Sequence, residues 1–140
     1  MKKRLFLFLG LLVFVSGCAS IRINAVTMGS ASEFGKKAYV VRHDKSTKDI
    51  DRYIQEALTE LGFAATSGPV EQMPSDVDFY VTYIDKWQWD MGMYLYRLEI
   101  MVYNKKDGIL LKSGTFRNSL FHLGHGRNWT INTVKKAFQN

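Results

Sequence analysis

Cysteine occurs once in this chain, at position 18, and that scarcity excludes a class at the outset. A small exported domain stapled by disulfides needs cysteines in pairs, so this fold has to rest on an ordinary apolar core. The material for one is present, since 46% of the residues are hydrophobic and 14% aromatic. Long hydrophobic runs are missing as well. The apolar run over 5–15 falls far short of the roughly 20 residues that a membrane-spanning helix requires. No Gly-x-Ser-x-Gly elbow places a nucleophilic serine. No Gly-x-x-x-x-Gly-Lys loop cradles a phosphate, and no His-Glu-x-x-His offers zinc ligands on a helix. A dense basic face is also lacking: the charges behind the net +6 are spread along the chain, which argues against a nucleic-acid partner.

What is present is concentrated at the start. Lys2, Lys3 and Arg4 precede the apolar run, and Val15, Ser16 and Gly17 lead into Cys18. A basic start, a short apolar middle and small residues before a cut describe a secretory signal. Val15-Ser16-Gly17-Cys18 resembles the lipobox of bacterial lipoproteins. The resemblance implies cleavage ahead of Cys18, a thioether-linked diacylglyceryl group on its sulfur, and usually N-acylation of the new N-terminus. Two or more acyl chains hold a protein stably at a membrane without any spanning helix. Removal of 1–17 takes away three positive charges and no acid, leaving the mature side chains at +3. Ala19 and Ser20 follow the cysteine where aspartate tends to mark retention at an inner membrane. The same analogy therefore implies an outer-membrane lipoprotein facing the periplasm, or the outer face of the membrane in an organism with only one.

Length and composition then suggest a signal peptide at 1–17, a lipidated cysteine with a flexible tether at 18–37, and a single domain at 38–140. The tether is rich in Ser, Gly, Ala and Asn, although the alternation of Ile21 and Ile23 is also the pattern of a short strand. A first strand is expected at 38–42. A helix follows, with Ile50, Tyr53, Ile54, Ala57, Leu58 and Leu61 on one face. Ser46 and Asp49 have capping-box spacing ahead of it, and Gly62 stands where a left-handed cap is needed. Further strands are expected at 63–66, 77–85, 94–103 and 109–117. Asp107-Gly108 turns between the last two, and a short final helix is capped by Thr130. In the fourth strand Tyr94, Tyr96, Leu98, Ile100 and Val102 share a parity, so they are expected on one side. The expected fold class is α+β: a two-layer β-α-β-β-β-α arrangement, its mostly antiparallel sheet covered by helices on one face.

A second resemblance rests on Trp87-Gln88-Trp89-Asp90 followed by Tyr94-Leu95, in this element order and behind a lipobox. Over 39–138 the chain is similar to small proteobacterial outer-membrane lipoproteins of unknown function. That resemblance implies a fold and an address, and lends no activity.

Three constellations invite chemistry. Trp87 and Trp89 have the same strand parity, with Met91 and Met93 continuing it and Asp85 and Asp90 nearby. Such indoles pack over the open end of a core, anchor a protein partner or stack on sugars; Tyr94 and Tyr96, with Tyr80, would enlarge the patch. His122 and His125 form the one close histidine pair, but no cysteine or acid accompanies them, so a glycine-rich surface loop is the plainer reading and no metal is expected. Asp85 and Asp90 could work as a carboxylate pair on a glycoside if their separation suited it. Asn128-Trp129-Thr130 matches a glycosylation sequon, for which helix capping by Thr130 is the simpler account. The expectation that results is a membrane-anchored, non-catalytic lipoprotein of the cell envelope that binds a protein partner. Peptidoglycan or glycan binding through Trp87 and Trp89 is the first alternative and a carboxylate-based glycan hydrolase the second; no cofactor is expected.

Overall fold

The strand-helix-strand unit Lys37–Gly68 sets the architecture. In this computed structural model, residues 20–25, 34–44, 48–89, 91–118 and 126–139 are described. Strand β2 (Lys37–Val41) leads into helix α1 (Ile50–Glu60), which returns to β3 (Ala64–Gly68), parallel to β2. After a 3-10 turn at Val70–Gln72, the chain forms β4 (Phe79–Trp89), β5 (Met93–Asn104) and β6 (Leu110–Arg117), then helix α2 (Gly126–Gln139). Strand β1 (Ser20–Ala25) precedes them all, and the six strands lie in the order β1-β6-β5-β4-β2-β3. Strand β4 is parallel to β2, whereas the β4–β5, β5–β6 and β6–β1 pairs are antiparallel. This is the α+β class expected from the sequence.

Alternation along the strands builds one core. Ala38 and Val40, Phe79, Val81 and Tyr83, then Leu98, Ile100 and Val102 are all buried. They meet Ile50, Ile54, Ala57 and Leu58 of α1 and Val134, Ala137 and Phe138 of α2. Both helices thus cover the same face, and no second layer covers the opposite face among the described residues. Each buried Val, Leu, Ile or Phe among them contributes about 1.5–3 kcal/mol. At the C-terminal end of α2 the buried Lys112 donates to the Ala137 carbonyl at 3.3 Å and lies 5.6 Å from the Phe34 ring. A cation there complements the negative end of the helix.

Several local expectations need correction. The segment read as a tether contributes β1, in which Ile21 and Ile23 lie opposite Phe116 and Gly114 of β6. Helix α1 has Asp49 itself at the N-cap, and that residue makes no side-chain cap hydrogen bond, so the capping box does not form as spaced; Ser46 lies outside the described residues. The C-terminal end behaves as read. Gly62 takes φ +91°, its N–H donates to the Thr59 carbonyl, and that of Phe63 donates to Leu58, a Schellman closure. Thr130 lies one turn inside α2 instead of capping it, its hydroxyl donating to the Gly126 carbonyl at 2.7 Å.

The remaining correction bears on the site. Lys86 pairs with Arg97, but the next residue, Trp87, pairs with Leu95, so Tyr96 is an extra residue in β5. A bulge of this kind reverses the facing of everything beyond it. Leu95 is therefore buried with Leu98, and Tyr94 and Tyr96 do not share a face with Leu98, Ile100 and Val102.

Candidate functional site

The β4–β5 hairpin carries the aromatic stretch to one end of the sheet. Trp89 pairs with Met93, and the connection between them passes through Met91 at φ 54°. A left-handed residue in a three-residue loop is a common way to close such a hairpin. Asp90 lies in this connection and outside the described residues.

The two tryptophans share a parity and have different surroundings. The Trp87 indole N–H donates to Asp85 Oδ2 at 2.6 Å, and Lys48 Nζ stands 5.4 Å from the ring centroid. Gly126, the first residue of α2, approaches so closely that a Cβ there would lie 2.6 Å from the ring. Trp87 consequently packs against the core and lines a groove of about 470 Å³ with Lys48, Asp49, Tyr53, Gly126, Arg127 and Asn128. A second hollow of about 540 Å³ continues from Asp49, Tyr53 and Arg127 along α1 to Glu60. Its walls are ionic: Arg127 pairs with Glu56, and Lys135 with Glu60, tying the two helices together.

Trp89 is 74% exposed, with Met91 at 95% and Met93 at 50%. Exposed large apolar side chains clustered at one tip are uncommon and mark contact surfaces. On the sheet's open face the Tyr94 hydroxyl donates to Gln88 Oε1 at 2.8 Å, and the Tyr96 carbonyl accepts the Asn118 N–H at 2.9 Å. Tyr80 stacks on Tyr103 at 5.2 Å on that face, away from the tip.

The structure thus brings Asp85 and Trp87 together, packs Trp87 against the core while leaving Trp89 exposed, and gives Tyr94 the opposite parity to both. Asp85 is engaged by the indole. Among the described residues no group of three or more His, Cys, Asp or Glu side chains could hold a metal ion; Cys18, His122 and His125 lie outside them. Sequence reading missed Lys48 as a neighbour of Trp87, because it comes from a remote segment, and assigned Gly126 to the glycine-rich loop around His122 and His125, whereas Gly126 opens α2 against the indole. It also missed the adjacency of Lys86, Arg97 and Arg117, which only the strand register reveals.

No protein-family model matches the chain, and no curated protein matches it in sequence. Solved structures do. The chain is similar in fold to the PelC dodecamer from Paraburkholderia phytofirmans, with TM-score 0.61 and 12% identity over 85% of this chain and 94% of that one. It is also similar to a PDZ domain protein from Parabacteroides distasonis, with TM-score 0.53 and 10% identity over 97% of this chain and 39% of that one. A minor lipoprotein from Acinetobacter baumannii aligns at TM-score 0.34 and 15% identity, covering 74% and 85% of the respective chains; at that score the likeness carries no weight. The first two likenesses are of fold alone.

Proposed function

We propose that this chain is a lipoprotein of the bacterial envelope, held at the outer membrane through lipid on Cys18 and facing the periplasm, which acts by binding and not by catalysis. The anchor reading rests on Val15-Ser16-Gly17-Cys18 behind a basic, apolar leader. The binding reading rests on one observation above all. The hairpin end divides its aromatic residues between a groove floored by Trp87 and an exposed tip of Trp89, Met91 and Met93. Asp85, the described acid of the hydrolase alternative, accepts the Trp87 N–H, which supports a structural role for it.

An envelope protein segment suits the groove, whose charged rim and aromatic floor offer both orientation and apolar contact. PelC forms a dodecamer, which supports counting a second copy of this chain among the partners to test. The glycan alternative calls for open indole faces in a row, whereas Trp87 is half-buried, with Gly126 packed on its ring, and only Trp89 of the two is fully exposed.

Two experiments test this reading. Intact mass of the membrane-extracted protein should show the acylated species starting at Cys18, and Cys18→Ala should abolish it. A photo-crosslinker at Asn128, an exposed position on the groove, should then yield a discrete protein adduct in intact cells. Adducts to cell-wall material alone would favour the glycan reading, and release of product from glycan fragments would overturn the non-catalytic one.

A further inference from the structure

The open face of the sheet carries a charge arrangement that its own packing does not explain. Lys86 lies opposite Arg97, Arg97 opposite Arg117, and Arg117 opposite Ser20, so one row across β4, β5, β6 and β1 holds three cations. Like charges directly opposite on a sheet repel. Lys86 and Arg117 are exposed, and Arg97 pairs with Glu99 from the next row while its Nε finds no acceptor among the described residues. Such a row is stabilised by an anionic surface laid against it.

Position in the chain says which surface. Ser20 opens β1 at the Arg117 end, and Cys18 is two residues before it. Two residues span at most about 7 Å, which bounds the distance from a lipid-bearing Cys18 to the Ser20 end of this row. Beyond the row, in the same direction, β4 runs from Lys86 to Trp89, about 10 Å at the usual strand rise. It ends in the exposed Trp89, Met91 and Met93. Indoles favour the boundary between headgroups and acyl chains, and basic side chains favour anionic lipids just outside it. Along the strand direction the cations of the open face come first, and Trp89, of the opposite parity, comes after them at the tip with Met91.

We infer that this end of the sheet docks on the bilayer: Lys86, Arg97 and Arg117 meet phosphate-bearing anionic headgroups, and Trp89 and Met91 enter the interface. The inference takes its direction from the anchor at Cys18 under the proposed function, and gives the anchored domain a fixed orientation in place of a free swing. The groove at Trp87 is left for a protein partner.

The test uses the full membrane-extracted chain in vesicles of phosphatidylcholine with increasing phosphatidylglycerol, part of the lipid carrying brominated acyl chains. Bromine should quench tryptophan emission, and the quenched component should vanish in Trp89→Phe. Quenching should grow with phosphatidylglycerol content and fall with salt. Lys86→Gln/Arg117→Gln, two exposed changes that leave the Arg97–Glu99 pair in place, should lose both dependences while keeping the wild-type melting temperature. Intact mass of the same sample reports lipid on Cys18 separately. Lipid present with Trp89 unquenched overturns the docking and leaves the anchor standing. No lipid, with Trp89 still quenched by anionic vesicles, does the reverse. Equal quenching in neutral and anionic vesicles overturns the role of the cationic row.

Discussion

Gly126 begins α2 directly against the Trp87 indole, where a Cβ would stand 2.6 Å from the ring. The ring is held on its other contacts by Asp85 and Lys48. Gly126→Ala therefore forces Trp87 to move, which as overpacking costs about 1–3 kcal/mol. Alanine's better helix propensity, at most about 1 kcal/mol, offsets part of it. Chemical denaturation should show a net destabilisation, and Trp87→Leu should suppress it in the double variant. Additive effects would mean that the contact is not shared.

The Asp85 carboxylate contributes through a single acceptor oxygen, which gives its substitution a distinctive pattern. Asp85→Ala leaves the part-buried indole N–H without its partner, a loss of about 1–2 kcal/mol. Asp85→Asn keeps a carbonyl oxygen at the same place and should cost markedly less. Trp87 emission should shift in the alanine variant and hardly in the asparagine one. Were Asp85 a catalytic group, the asparagine variant would instead be stable and lose a measurable glycan-cleaving activity.

How much of this was readable in the chain differs by level. The apolar spacing from Ile50 to Leu58 and the glycine at 62 specify α1 and its exit, because both depend on residues within a few positions of each other. Ile21 and Ile23 carry a strand pattern, but nothing local says that the strand pairs with β6, some 90 residues later. The bulge at Tyr96 is hidden for a physical reason: Tyr94, Tyr96 and Leu98 alternate smoothly in sequence while the backbone slips by one. Thr130 fits a cap by residue type alone, yet its hydroxyl is equally served by the carbonyl one turn back. The Trp-x-Trp spacing gave the two indoles one parity, but the strand expected to stop at Asp85 runs on to Trp89, and the spacing said nothing about which ring meets Gly126 and which meets solvent. The cationic row needs the register of three strands, which residues 86, 97 and 117 do not contain between them.

Arg42 and Asp51 tie β2's exit to the first turn of α1. Arg42 Nε donates to Asp51 Oδ2 at 2.8 Å, with the carboxylate side chain 4% exposed and the guanidinium side chain 48%. The asymmetry decides the sign of each variant. Arg42→Ala strands a buried carboxylate and should destabilise by about 1–3 kcal/mol. Adding Asp51→Ala removes the stranded charge and should recover part of that loss. A double variant less stable than Arg42→Ala alone would show that Asp51 acts chiefly on the helix dipole and not through Arg42.

Tyr39 sets an alkaline limit on the fold. Its side chain is buried on β2, its hydroxyl donates to the Pro69 carbonyl at 2.9 Å, and Gly68 leaves the space in which that hydroxyl fits. Burial pushes the phenol above its ordinary 10.0, with Arg42 pulling the other way and Glu71 adding to the rise. The native state therefore holds this proton more tightly than the unfolded chain does. Its stabilising effect is complete below about pH 10 and is lost as the pH climbs through the native value. Lys37, raised by its hydrogen bond to Asp76, titrates in the same limb, but that pair is exposed and screened by solvent. Tyr39→Phe should cost about 1 kcal/mol at pH 7 through the lost hydrogen bond, and the gap to wild type should close as urea unfolding is repeated from pH 9 to pH 11, values chosen to bracket the free phenol at about 10. Parallel stability curves for the two proteins over that range would mean that the alkaline limb belongs to Lys37 or to another base, and that the Tyr39 hydroxyl is held only by its hydrogen bond.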